Sequence, residues 1–412
     1  MILTRAFLYI SAADFIARST YQMGKTPLLP IFAASLGSGE ILIGLIVSAS
    51  TFTGMIFKPF VGLMSDRWGQ RSWLIAGTIF FVTIPFLYRF IDTPGQLISI
   101  RLLHGMATAI YGPVTLSYIA NLSWSNRAGR IGSFSIARNA GYIVGPLTAG
   151  WLLMTYDTVS IFTIIGLLSC IAFVPVLLLP STTPNIPKNL GSVLQQAKDA
   201  LRSGVKEPAL WIAGLLDANI NLGLYAAKAF IPIYALSIGM NILHAGIFFS
   251  IQAAVNIIAS PIGGWISDRI GHMYTTAIGT TLLSISLIML TISESVQILL
   301  SSALFFGIAT AFVFPSTMAL VSARIQHIHL GAGIGLVGSL RNAGKIAGPI
   351  LAGLIIAFLD FTYTFRFLGV VMLAISTLIW SKAYIPQNVS LTNPVLSTES
   401  RITHSQNISI KK

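Results

Sequence analysis

The residues best placed to do chemistry in this sequence are a few charged side chains inside long apolar runs. Asp14, Arg18 and Lys25 share one run, and Asp217 and Lys228 share a later one. Ionisable groups in such surroundings are costly and mark sites of transport, proton transfer or ion pairing. Asp14 and Arg18 are four residues apart, which puts them on one helix face and lets them pair. The pair indicates either a carboxylate that exchanges protons or a neutral pair that fixes helix packing.

Another arginine, Arg101, lies about a turn inside a different apolar run. At that depth it either faces a cavity or a carboxylate, or extends to the nearby membrane interface. We predict that it is a second partner of Asp14, whose protonation would then respond to the movement of an arginine or of water. Asp217 is the competing candidate. The predicted proton-coupling set is Asp14, Arg18, Arg101 and Asp217.

Membrane-spanning helices are the elements predicted to carry these charges. Of the 412 residues, 54% are hydrophobic and 9% are charged, and the mean hydropathy is +0.80. A soluble domain averages roughly 25% charged residues, so an ordinary soluble enzyme is excluded. The long continuous runs predict an all-α membrane protein of 12 transmembrane helices. The predicted spans are 6–35, 41–64, 72–91, 96–122, 131–154, 159–179, 209–238, 242–266, 274–292, 297–322, 333–358 and 362–383.

The distribution of basic residues predicts the orientation in the membrane. The 25 Lys and Arg outnumber the 12 Asp and Glu, for a net charge of +13. Most basic residues fall in alternate short connections, as expected of cytoplasmic loops, so the charge reflects topology and not a nucleic-acid partner. We predict a bacterial inner-membrane protein with both termini cytoplasmic. Its predicted parts are bundles of six helices at 1–180 and 209–385, a cytoplasmic linker at 181–208 and a disordered tail at 386–412.

The two sets of six helices are copies of each other. The segments 30–37 and 62–69 match segments 202 residues later, and Arg138 to Gly141 match Arg341 to Gly344 at an offset of 203. At the same offset, Lys345 stands where the first copy has Tyr142. Parallel six-helix repeats are typical of transporters that rock about a central site.

The loop between helices 2 and 3 has the pattern Gly62-x-x-x-Asp66-Arg67-x-Gly69-x-Arg71. With this pattern and the repeats, the sequence resembles the major facilitator superfamily over nearly its whole length, and in particular its 12-helix drug/proton antiporter branch. The resemblance is strongest in the loop between helices 2 and 3. It implies that this loop clamps the two halves together on the cytoplasmic side when the transporter is open outward. The alternative is a charged loop that only obeys topology. The predicted gate residues are Gly62, Asp66, Arg67, Gly69 and Arg71, with a partial copy at Gly264, Asp268, Arg269 and Gly271.

Two further motifs carry the resemblance. Arg101, four residues before Gly105, resembles the helix-4 motif whose arginine is linked to proton coupling in the family. A glycine and proline pattern resembles the helix-5 motif of antiporters, and it is duplicated on helix 11. Small residues let helices approach closely, so the duplication also fits a plain packing rule for both halves. The predicted seam residues are Gly141, Gly145, Pro146 and Gly150, with Gly344, Gly348 and Pro349 in the copy.

A substrate cavity is predicted among aromatic and amide side chains of helices 1, 4, 7 and 10 and lysines of helices 1, 7 and 11, although a membrane tyrosine is often ordinary packing. The candidates are Tyr21, Gln22, Lys25, Tyr111, Asn221, Tyr225, Lys228 and Lys345.

Several functional classes lack support in the sequence. It has no glycine-rich nucleotide loop, no His/Cys metal cluster and no arrangement typical of a hydrolase, so we expect no catalytic residue, no metal and no cofactor. The single cysteine, Cys170, excludes an internal disulfide and is expected to be a small core residue.

The function predicted from the sequence is secondary active transport by alternating access. We expect a monomer in the lipid bilayer that exports a small organic solute in exchange for protons. One alternative is a proton-coupled importer of a metabolite, sugar or siderophore on the same fold. Another is a membrane-embedded sensor or enzyme without transport.

Overall fold

The computed structural model describes residues 5–122, 127–181, 207–324 and 330–383, and leaves out the side chains of 63, 66, 127, 128, 323, 324, 330–334, 382 and 383. The described residues form helices joined by short connections, which confirms the all-α prediction, and nine of their helices are long and apolar enough to cross a membrane. The predicted tail and nearly all of the predicted linker fall outside this part of the chain. The helices are α1 Arg5–Met23, α2 Leu29–Ser35, α3 Glu40–Trp68, α4 Gln70–Leu87, α5 Pro94–Asn121, α6 Arg127–Leu152, α7 Thr158–Cys170, α8 Phe173–Leu177, α9 Pro208–Ser237, α10 Ile242–Ile270, α11 His272–Met289, α12 Val296–Arg324, α13 Leu330–Phe358 and α14 Phe361–Ala383.

The helices of the two sequence copies pack in matching pairs. Helix α3 packs along α5 and α1 along α6, while α10 packs along α12 and α9 along α13. Between the copies, the main contacts are α3 with α13 and α6 with α10. These two contacts are related by the repeat, so the copies meet through equivalent surfaces.

The first helix is interrupted where its repeat partner is continuous. A π-helical turn, Gly24–Leu28, separates α1 from α2, and within it Thr26 has an extended backbone with φ −147° and ψ 118°. Asp14 and Asp217 are 203 residues apart, whereas Pro30 and Pro232 are 202 apart. The first helix therefore holds one residue more than α9, and the extra residue is accommodated where the helix is interrupted at Gly24–Leu28. Lys25 lies within this turn.

Glycines with positive φ make the tight turns that follow α3 and α10. Gly69 has φ +90° and Gly271 has φ +104°, values that favour glycine because it has no Cβ. The chain reverses at these turns, after which α4 packs mainly on α5 and α7, and α11 mainly on α12 and α14.

Helix α7 begins with a carboxylate cap and ends at the single cysteine of the chain. At its start, the backbone N–H and hydroxyl of Ser160 donate to the Asp157 carboxylate and lower the pKa of Asp157. At its end, Cys170 is exposed and its thiol donates to the Gly166 carbonyl. The prediction of a core cysteine was wrong, because Ser169 and the residues one and two turns before it take the packed face.

Candidate functional site: two ion pairs and a cationic cavity

Asp14 is the centre of an ion pair between α1 and α6. Its carboxylate is buried, and its Oδ2 lies 3.0 Å from Nε of Arg138 and 3.6 Å from Nε of Arg18. Arg138 also donates from Nη2 to the Thr115 hydroxyl at 2.7 Å. The predicted pairing with Arg18 is present, and Arg138 is the closer partner. Since Thr115 is a second acceptor for Arg138, the arginine keeps a partner when the acid is neutral.

Asp217 forms an equivalent pair between α9 and α13. Its Oδ2 accepts from Nε of Arg341 at 2.5 Å, and Asn221 donates to its backbone oxygen at 2.7 Å. Asp217 and Arg341 each lie 203 residues after Asp14 and Arg138. In each repeat, a buried carboxylate and an arginine therefore join two helices: α1 to α6 in the first repeat and α9 to α13 in the second.

Arg101 does not pair with Asp14, and this prediction was wrong. The arginine is fully buried and donates to the Ser50 hydroxyl at 2.6 Å and the Tyr88 hydroxyl at 3.3 Å. Asp14 lies instead close to Thr115 of α5, because Arg138 donates hydrogen bonds to both residues. Fourteen residues separate Arg101 from Thr115 on α5, which is about 20 Å along a helix. That distance exceeds the reach of an arginine side chain.

A cavity lies between the two repeats, near the π-helical turn. It is lined by residues of α1, the turn, α6, α9 and α10, namely Gln22, Thr26, Tyr142, Pro146, Lys228, Phe249, Gln252 and Ala253. Beside it, the ring of Tyr225 is approached by three lysines. The ring centroid lies 5.1 Å from Nζ of Lys25, 5.2 Å from Nζ of Lys228 and 5.4 Å from Nζ of Lys345.

Most of the predicted cavity residues come together here. Lys25 also approaches the ring of Tyr21 and donates to the Thr51 hydroxyl at 3.4 Å. Tyr111 does not belong to the cavity: it is fully buried, hydrogen-bonded to Thr78 and packed against Phe81. That prediction was wrong, because Tyr111 lies on the face of α5 that packs on α4. Asn221 contacts Asp217, as described above.

The loop predicted to form a gate lies at the opposite end of the helices from Glu40. The side chain of Asp66 is outside the described residues. Arg71 donates to the Leu177 carbonyl at 2.7 Å, within its own repeat. In the second copy, Asp268 is exposed and Arg269 lies over the ring of Trp265 at 3.9 Å. Gly62 and Gly264 face the prolines of α5 and α12 across ordinary contact distances. Arg67 is exposed.

The predicted seam glycines pack helices of the same repeat together. A Cβ on Gly141 or Gly145 would overlap α1 at Arg18 or Gln22, and one on Gly344 or Gly348 would overlap the backbone of α9. Both motifs thus place α6 and α13 directly against the helices that carry Asp14 and Asp217. Gly150 lies at the contact of α6 with α10.

Contacts between the repeats are tightest at the Glu40 end. A Cβ on Gly44 would overlap the carbonyl of Pro349, and one on Gly246 would lie 2.5 Å from the carbonyl of Pro146. Just below, Ser48 donates to the Ile346 carbonyl at 2.9 Å and Ser250 to the Ile143 carbonyl at 2.6 Å. These contacts also repeat at offsets of 202 and 203, so the two repeats are packed closely together at this end. Within the described residues no group of three or more His, Cys, Asp or Glu side chains suits a metal ion.

Arg138 and Arg341 were not identified from the sequence as the partners of the two buried acids. Their signal was present, because the acids at 14 and 217 and the arginines at 138 and 341 share one offset. Opposite charges at one offset in both copies, each inside an apolar run, indicate an ion pair that both repeats share.

Comparison with known proteins gives a consistent family assignment. A model described as Major Facilitator Superfamily matches residues 15–293 and 220–401. Multidrug resistance protein 1 of Bacillus subtilis is 26% identical over 84% of this chain and 88% of its own length. The staphylopine export protein of Staphylococcus aureus is 22% identical over 88% of this chain and 92% of its own. The crystal structure of the nucleoside transporter NupG covers 92% of this chain and 99% of its own, with a TM-score of 0.78 and 15% identity.

Proposed function

The chain belongs to the Major Facilitator Superfamily, and we propose that it exports a small organic solute by proton-coupled alternating access. Its family and structural neighbours are transporters, so the chain is not an enzyme. The observation that carries the proposal is the cavity between two repeats whose contacts with each other are equivalent. Equivalent contacts at the Glu40 end can be exchanged for contacts at the other end when the repeats rock.

The finer architecture is part of this proposal. Two bundles of six transmembrane helices, 12 in all, correspond to α1 to α8 and to α9 to α14, with α1 and α2 forming one span and α7 and α8 another. The basic connections place both termini and the Arg71 end in the cytoplasm of a bacterial cell. With that orientation, the described state is closed to the outside. We expect the transporter to work as a monomer in the inner membrane.

Export is favoured over import by the names of the relatives. Two of them are a multidrug resistance protein and an export protein. Import of a metabolite, sugar or siderophore is the alternative on the same fold.

Proton coupling is assigned to the buried acids. Asp14 and Asp217 each hold an arginine of the fifth helix of their repeat. Protonation of either acid would release that arginine, and rocking changes whether water or arginine faces the acid. We propose Asp14 as the main coupling group, because Arg138 has Thr115 as a substitute acceptor.

Everted membrane vesicles test the proposed function. Respiration first makes the vesicle interior acidic, and a pH-sensitive dye follows the interior pH. A small-molecule extract of the source cells is then added. Proton-coupled export predicts that the extract releases interior protons in vesicles that contain the chain and not in vesicles that lack it. An importer or a sensor gives equal traces in both, which would overturn export by antiport.

Cysteine labelling tests the orientation. In a Cys170→Ser background, Glu40→Cys and Asp157→Cys should react with a membrane-impermeant maleimide added to intact cells. Gln195→Cys and Trp68→Cys should react only after the membrane is opened; Trp68 is exposed, whereas Gln70, two residues further on, is buried. Labelling in the reverse pattern would contradict both the predicted orientation and the cytoplasmic position of the gate.

Asp66→Ala tests the gate. The resemblance implies that Asp66 helps to close the cytoplasmic end in the outward-open state, so its loss should shift the population toward the inward-open state and slow turnover. Disulfide crosslinking between the cytoplasmic ends of α3 and α13 should fall. Asp268→Ala is the matched control. Asp268 is exposed, and its copy of the loop has Met273 where the first copy has Arg71, so its loss should change turnover little. Equal crosslinking in Asp66→Ala and wild type would rule out the gate.

A further inference from the structure

The lysines around Tyr225 form a cluster contributed by both repeats. Lys25 comes from the π-helical turn, Lys228 from α9 and Lys345 from α13, each with its ammonium group 5.1 to 5.4 Å from the same ring. Lys25 and Lys228 are 203 residues apart and are thus repeat partners. An aromatic ring attracts cations only weakly, and three ammonium groups at one ring repel each other.

Negative charge that would balance these lysines is missing from the described protein. Asp14 and Asp217 are engaged by Arg138 and Arg341. Among the residues that the structure describes, no carboxylate lies within ion-pair distance of the three ammonium groups. Lys25 is buried, and its one hydrogen bond described here goes to a neutral hydroxyl. Buried charge without a partner is costly, so an anion that enters the cavity would gain strong interactions.

We propose that the transported solute is an organic anion with at least two separated carboxylate or phosphate groups. This inference rests on the proposed transport function and deepens it. One anionic group balances one lysine, so three lysines contributed by two repeats favour a solute with several anionic groups. Gln22 and Tyr142 line the cavity beside Lys228 and offer neutral hydrogen-bond donors. Tyr225 offers an apolar face for the carbon skeleton between the anionic groups. A cationic solute would add to the positive charge.

Binding to the purified full-length chain in detergent tests the inference. The probes are citrate, succinate, glucose 6-phosphate and inorganic phosphate, with glucose and tetraphenylphosphonium as neutral and cationic comparisons. Affinity is read from ligand-dependent thermal stabilisation. We expect at least one organic anion to bind at millimolar concentration or below. Lys228→Gln and Lys345→Gln should each weaken that binding about ten- to a hundredfold, the usual worth of a charge-assisted contact.

Arg89→Gln is the matched control. Arg89 is an exposed arginine in the connection between α4 and α5, and its removal changes the net charge equally. The inference falls if no organic anion binds, if tetraphenylphosphonium or inorganic phosphate binds more tightly than every organic anion, or if Arg89→Gln weakens binding as much as Lys228→Gln. Detergent binding needs no proton gradient, so this result is separate from the vesicle test. Anion binding without proton-coupled export would overturn the proposed function alone.

Discussion

Asp14→Asn is expected to abolish the acceleration of transport by a pH gradient while solute exchange at equal pH continues. Asparagine keeps the shape of the side chain and cannot exchange a proton, so Arg138 no longer alternates between a carboxylate and Thr115. The measurement compares gradient-driven uptake with exchange in proteoliposomes. Asp92→Asn, an exposed acid in a connection, is the control and should behave as the wild type. If the gradient accelerates Asp14→Asn as it does the wild type, Asp14 has a structural role only.

Stability separates coupling from packing. Loss of one partner of a buried pair costs about 3–5 kcal/mol, because the other charge stays buried. Asp14→Asn should therefore lower the thermal unfolding temperature, and Asp14→Asn with Arg138→Gln should recover much of it. The double variant should stay uncoupled. Recovery of gradient acceleration along with stability would show that the pair acts only by holding α1 on α6. If Asp217→Asn loses the acceleration by the pH gradient and Asp14→Asn keeps it, the coupling carboxylate is Asp217 of the second repeat.

Much of the fold was readable from the sequence because hydropathy and an internal repeat are both strong signals. The helical elements, the repeat and the lysines near the cavity follow from composition and spacing. Lys345 is an example: it breaks the repeat at Tyr142, and the structure places it beside Tyr225. The π-helical turn was also encoded, as the change of offset between Asp14 and Pro30.

Contact partners were harder to read, since they depend on how helices far apart in sequence pack. Arg18 was found as a partner of Asp14 because helical spacing alone brings it close. Arg138 is 124 residues away, and only the packing of α6 on α1 through Gly141 and Gly145 brings it to the carboxylate. Tyr111 was misplaced because α5 is buried on more than one face, and its sequence does not distinguish the face toward α4 from the face toward the cavity.

Gly44→Ala combined with Gly246→Ala is expected to open the Glu40 end. The two glycines are repeat partners, and each added Cβ would overlap a proline carbonyl of the other repeat. Overpacking of this kind costs about 1–3 kcal/mol per site. A cost confined to one state shifts the population toward the other, by about tenfold for each 1.4 kcal/mol. Spin labels on Tyr156→Cys and Leu359→Cys, both exposed at this end, should report a larger fraction of long distances in a Cys170→Ser background.

Gly132→Ala combined with Gly335→Ala is the matched control for that shift. These glycines are also repeat partners, on α6 and α13, and no atom of the described residues lies within 4 Å of a Cβ placed on either one. The control should keep the wild-type distance distribution. Because the test pair differs from the control in its contacts and not in residue type, a shift confined to the test pair assigns closure to the glycine contacts between the repeats. Equal distributions in both variants and the wild type would mean that the hydrogen bonds of Ser48 and Ser250, one turn away, hold this end closed without the glycines.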